Sequence, residues 1–170
     1  MASSTREKLL AIYTNDHLAG ATVGVELSGR ALESNRGTPL GVFLEELHRE
    51  IGEDEQTLRL VMSRLGLAPD RIKRALAWGG EKLGRLKPNG QLRGYSPLSR
   101  LVELEGLCLG VEGKLSLWRS LEQAVGTDPR LAGIDLGELA RRATAQRERL
   151  EEHRLEAAAT ALAGRPPRGS

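Results

Sequence analysis

The residues of this chain whose types and spacing could do chemistry are acids and histidines that stand where helical periodicity calls for core. Between Leu44 and Leu65 the apolar positions Leu44, Leu47, Ile51, Leu58, Val61 and Leu65 recur on one helix face, and Asp54 occupies that face where an aliphatic is due. A carboxylate in an apolar interior is costly unless it is paired, hydrogen-bonded or bound to a cation. Glu50 lies one turn earlier, at the edge of the same stripe. Nearer the N-terminus, Asp16 and His17 border the stripe of Leu9, Tyr13, Gly20, Gly24, Leu27 and Ala31, and Gly20-xxx-Gly24 predicts that another backbone comes close. Glu105 and Glu112, seven residues apart, share a face inside a wide apolar arc, while Gln146 and His153 flank the stripe of Leu139, Ala143, Leu150 and Ala157. Asp16, His17, Glu50, Asp54, Glu105, Glu112 and His153 are therefore the candidate metal ligands, with carboxylate and imidazole donors suited to iron, manganese or zinc. The other reading needs no ion: the same groups form an interior network that fixes helix register, for instance with Asp16 or Asp54 paired to Arg30 or His17.

Positioning such groups takes long helices, and the sequence supplies four. A first helix is predicted from a cap at Ser3, Ser4 or Thr5 to Arg36, stopped by Gly37. Thr38-Pro39 reads as the cap and first position of a second, which ends at Gly66. Ser96-Pro97 opens a third, with Leu98, Leu101, Leu104, Cys108, Val111, Leu115, Trp118 and Leu121, ended by Gly126-Thr127-Asp128-Pro129. The fourth begins between Leu131 and Leu136 and runs to about Leu162. No short link joins the second helix to the third: residues 67–95, where Pro69-Asp70 starts a small helix and Gly and Pro-Asn-Gly then interrupt any long element, make a long crossover. The expected organisation is one all-α bundle domain over residues 1–163, made of two helical hairpins, with 164–170 a disordered tail. At about 1.5 Å per residue, this arrangement sets Asp16, Asp54, Glu112 and Gln146 at similar depth, and Glu26, Glu50, Glu105 and His153 in a second layer toward the first hairpin's turn.

With its long helices, long crossover and inward acids, the chain resembles the ferritin-like superfamily over roughly residues 4–160. The resemblance implies a ferritin-like four-helix bundle and, for di-iron members, a Glu from each of two helices with a Glu-x-x-His from each of the other two. Here the pattern departs. Glu45-Glu46-Leu47-His48 spells the motif, but Glu45 projects away from the core; the last helix has Leu150 three residues before His153. A structural or interaction role with a polar interior is thus the leading expectation, ahead of a noncanonical di-metal protein, and catalysis is not the expected outcome.

The remaining signals narrow the field. Seven basic residues, Arg71, Lys73, Arg74, Lys82, Arg85, Lys87 and Arg93, face only Asp70 and Glu81 across the crossover, with Trp78 and Tyr95 nearby. Anion or nucleic-acid binding there is a further alternative, but a solvated connection anchored by Trp78 is the stronger expectation, so nucleic acid is not an expected partner. The single cysteine, Cys108, sits on an apolar face and reads as a small core residue; no P-loop, GxGxxG, GxSxG or CxxC occurs. A signal-peptide core and any apolar run approaching the roughly 20 residues of a membrane span are also lacking, which makes a cytoplasmic protein the expectation. Val42, Leu60 and Leu117 lie off their main stripes and are expected to be exposed, where they can mediate contact with a partner or a homodimer.

Overall fold

The computed structural model describes residues 2–69 and 95–164. They form four long helices, α1 (Ala2–Ser34), α2 (Pro39–Arg64), α3 (Pro97–Val125) and α4 (Leu136–Ala163), and a single 3-10 turn, Pro129–Leu131, between α3 and α4. Among the described residues there is no strand.

Side-chain caps start three of the helices, at Thr38 and Ser96 as the sequence predicts and also at Asp135, whereas α1 begins at Ala2, so Ser3, Ser4 and Thr5 lie inside the helix they were expected to cap. The Thr38 hydroxyl accepts from the Gly41 amide at 3.1 Å, the Ser96 hydroxyl from the Ser99 amide at 3.1 Å, and the Asp135 carboxylate from the Glu138 amide at 2.8 Å. Each satisfies one of the orphan amides of a first turn, and Pro39 and Pro97 need none. α1 stops at Ser34, two residues before Arg36, because the buried Asn35 side chain turns back to donate to the Ala31 carbonyl at 2.7 Å and the chain then reverses through Gly37 at φ +76°.

Two packed clusters show how the helices run. One gathers Leu18 of α1, Leu58 and Met62 of α2, Trp118 and Leu121 of α3, and Leu136 and Ala143 of α4. The other gathers Leu27 and Ala31, Leu44 and Leu47, Leu101 and Leu104, and Leu150 and Ala157. The early part of α1 therefore lies with the late part of α2 and α3 and the early part of α4, so α1 is antiparallel to both α2 and α3, and α4 is antiparallel to both as well. α2 and α3 therefore run parallel. Residues 70–94 of the expected crossover and residues 165–170 of the tail lie outside the described residues, and with them the basic run and Trp78.

α3 packs most extensively on α4 and α1 on α2, whereas α2 and α4 approach each other at few points. That wider seam is filled by long polar side chains. Among the described residues no helix is long and apolar enough to cross a membrane.

Candidate functional site

Asp54 points inward, as the stripe on α2 predicts, and is only 3% exposed. Its Oδ2 accepts from the Lys114 ammonium of α3 at 2.6 Å, and its Oδ1 accepts from Nη2 of Arg142 on α4. Lys114 also donates to Oε1 of Gln146 at 2.5 Å, and Gln146, 1% exposed, donates through Nε2 to Glu50 at 2.9 Å. Arg142 further reaches Glu53 at 3.5 Å. Three helices are thereby tied across the wide seam by one chain of polar contacts, Glu50 to Gln146 to Lys114 to Asp54 to Arg142.

Burial drives the Lys114 ammonium below its ordinary pKa, and the neighbouring Asp54 charge pulls in the opposite direction. The ammonium donates twice within this network, leaving its third proton free to meet another acceptor.

The other candidate ligands are placed differently. Asp16 and Glu112, expected at mid-bundle beside Asp54, are both exposed. Glu105 is about half exposed and lies 3.7 Å from Arg154. His17 is half-buried, edge-on to the Tyr13 ring at 4.6 Å, and His153 is half-buried, stacked on Phe43 at 4.3 Å; burial lowers the pKa of both. Of the seven, only Glu50 and Asp54 join one network, and Gln146 and Lys114 stand between them. Among the described residues no three His, Cys, Asp or Glu side chains come together as metal ligands would. The pairing of Asp54 with Arg30 or His17 is likewise replaced by Lys114 and Arg142.

Lys114 went unremarked in the sequence reading, although it lies seven residues from both Leu107 and Leu121 and so shares their buried face. Arg142, 30% exposed, carries no comparable signal.

No family model matches this chain, nor does any curated protein or solved structure.

Elsewhere among the described residues, three further groups that could react are held in the fold. Ser28 Oγ lies 2.8 Å from Nδ1 of His48, so His48 is a half-buried partner and not the surface residue its place at the stripe's margin suggests, but Ser28 is wholly buried and offers no substrate an approach. Cys108 is buried as expected, and burial raises its thiol pKa, which disfavours the reactive thiolate. Tyr95 accepts from Asn35 at 3.0 Å and donates to Glu103 at 2.9 Å; burial pushes its pKa up to about 12, and the Arg100 guanidinium lies over its ring at 5.7 Å.

One cavity adjoins the polar network. It lies between α1, α2 and α3, has a volume of about 210 Å³, and is walled by Gly20 and Gly24 of α1, Gly106, Gly110 and Gly113 of α3, and apolar side chains including Leu27, Ile51 and Leu58. Asp16, His17, Asp54, Lys114 and Trp118 line it too. The predicted close backbone approach at Gly20-xxx-Gly24 does not occur: a Cβ at Gly20 would meet nothing within 4 Å, and one at Gly24 would meet only Ile51 at 3.7 Å.

Proposed function

We propose that this chain is a ferritin-like helical bundle with a structural or interaction role, in which the interior acids serve helix register and not metal ligation. The carrying observation is that both oxygens of Asp54, the one candidate acid that is fully buried, accept hydrogen bonds from cations, Lys114 and Arg142. An ammonium and a guanidinium at hydrogen-bond distance take one lone pair on each oxygen and repel a dication at that point. The parallel course of α2 and α3 between two antiparallel hairpins supports the ferritin-like assignment.

The register argument is geometric. A slip of one helical turn keeps an aliphatic stripe facing the core, whereas an ion-pair network spanning three helices is satisfied at one alignment only. Val42 and Leu60, exposed as expected, offer apolar contact to a partner, while Leu117 does not, being buried in the core.

Bound metal per chain, measured after production with iron, manganese and zinc supplied, tests the reading. Well under one equivalent of each, with an unchanged melting temperature in chelator, is the expected result. One or more equivalents of any of them with a raised melting temperature would overturn it in favour of the metal-binding alternative.

A further inference from the structure

Glycine inside a helix costs roughly 0.5–1 kcal/mol relative to alanine, so a cluster of helical glycines calls for a physical reason. Tight helix crossing is the ordinary one, and it accounts for Gly106, where a Cβ would meet Leu27 of α1 at 3.0 Å, but not for Gly20, Gly110 or Gly113, where a Cβ would meet nothing within 4 Å. What these positions do instead is open a groove between α1 and α3, whose rim is exposed at Asp16, Gly20 and Gly110.

Two hydrogen-bond donors with capacity to spare line that groove. Trp118 lines it and is 1% exposed, yet its indole Nε1–H finds no acceptor among the described residues. Lys114, one helical turn earlier on the same face, donates to Asp54 and Gln146 and retains a third N–H. Each oxygen of Asp54 already accepts from a cation. A buried donor without an acceptor costs about 1–3 kcal/mol, and that cost is relieved by an incoming oxygen. A carboxylate would bring that oxygen beside Asp16, Asp54 and Glu55, all of which line the site, so a neutral acceptor fits better. The volume of about 210 Å³ exceeds the roughly 150 Å³ cavity that admits benzene, leaving space for one ring or a short branched chain with a polar substituent.

We propose that the glycine-lined groove between α1 and α3 binds a small neutral molecule, with an apolar body of about one six-membered ring lying along the glycines and a carbonyl or hydroxyl oxygen directed to Lys114 and Trp118. This site is independent of the register role of the network; it uses the protons that role leaves over.

Cyclohexanol is a suitable probe, and the indole N–H resonance of Trp118 is the readout, isolated in a full-length chain carrying Trp78→Phe so that one indole remains. A saturable shift of that resonance is expected with cyclohexanol, together with at least a tenfold loss of affinity in Gly110→Leu, whose side chain would enter the groove. Gly20→Leu enters from the opposite wall and replaces it if the first variant does not fold. Cyclohexanecarboxylate and cyclohexylamine are expected to bind at least tenfold more weakly than the alcohol. No shift up to the solubility of cyclohexanol, or a shift unchanged by either leucine, would overturn the site. Equal or tighter binding of either charged analogue would overturn the neutral-acceptor assignment. Were the groove the seat of a second copy, Gly110→Leu would convert a dimer to a monomer in sedimentation while the alcohol left the indole resonance in place, and the proposal would fail.

Discussion

At the scale of single residues, the energetics of this bundle turn on Asp54. It sits between Lys114 and Arg142 with almost no access to water, so its charge is needed to hold two cations in place as much as theirs is needed to hold it. Removing one member of such a set leaves the others buried and uncompensated, which costs about 3–5 kcal/mol, far more than the net worth of the intact pair. Arg142 is 30% exposed and has Glu53 within reach, so the burden of losing Asp54 falls on Lys114. Asp54→Asn is therefore expected to lower unfolding stability by about 3 kcal/mol in urea titrations, and adding Lys114→Met to restore most of that loss. Additive effects of the two substitutions would show that the pair is not coupled. The sequence made Asp54 legible because α2 has a sharp apolar stripe that fixes its phase. It did not do so for Asp16, on a glycine- and alanine-rich helix with little contrast between faces, nor for Glu112, on a helix whose apolar residues nearly encircle it; both turned out exposed, since a phase error of one residue moves a side chain by about 100°.

Elements in this fold are set chiefly by their ends. Thr38-Pro39 and Ser96-Pro97 were readable as helix starts because capping is local chemistry, and the structure realises both. The end of α1 was placed late because its stop depends on Asn35 reaching Ala31 and Tyr95, and the latter contact joins residues sixty apart in sequence. The 3-10 turn at Pro129–Leu131 was hidden for a related reason: Arg130 donates to the Leu65 carbonyl at 3.1 Å, a tertiary tie that propensity does not report. Glycines separate the two kinds of constraint. A Cβ at Gly41 would collide with the Asn35 backbone carbonyl oxygen, where α2 begins against the α1 turn, and backbone there cannot yield. At Gly52, in the interior of the same helix, a Cβ would meet nothing within 4 Å. Gly41→Ala should destabilise the protein by at least about 2 kcal/mol, while Gly52→Ala should raise stability by roughly 0.5–1 kcal/mol through helix propensity alone. Equal effects at the two sites in thermal or chemical denaturation would refute this account of the α1–α2 turn.

For the whole molecule, the placement of charge predicts how stability responds to acid, and two windows can be separated. The lower one belongs to surface carboxylates. The Arg130 side chain holds Asp128 down to about 2, and Arg154 holds Glu151 down to about 2, so the stability these pairs confer is present above the ordinary carboxylate range and is lost as pH falls through it toward 2. The upper window belongs to His17, midway along α1 against Tyr13, and His153, on α4 against Phe43. Burial lowers both pKa values, more than the neighbouring Asp16 raises the first or Glu156 and Glu152 raise the second. The unfolded chain thus takes up these protons at a higher pH than the folded chain, so stability rises with pH in this window and falls as pH drops below about 6.5. Both rings are only half-buried, which keeps the effect small: on the order of 2 °C in melting temperature between about pH 7.5 and 5.5. His153→Phe preserves the stacking on Phe43 without the titrating nitrogen, and His17→Phe preserves an aromatic edge against Tyr13. The double variant should flatten the melting-temperature profile above pH 5 and leave the decline at lower pH intact, because that decline belongs to Asp128 and Glu151. A profile that keeps its slope near pH 6 in the double variant would mean that some other group, outside the two histidine sites, takes up the protons.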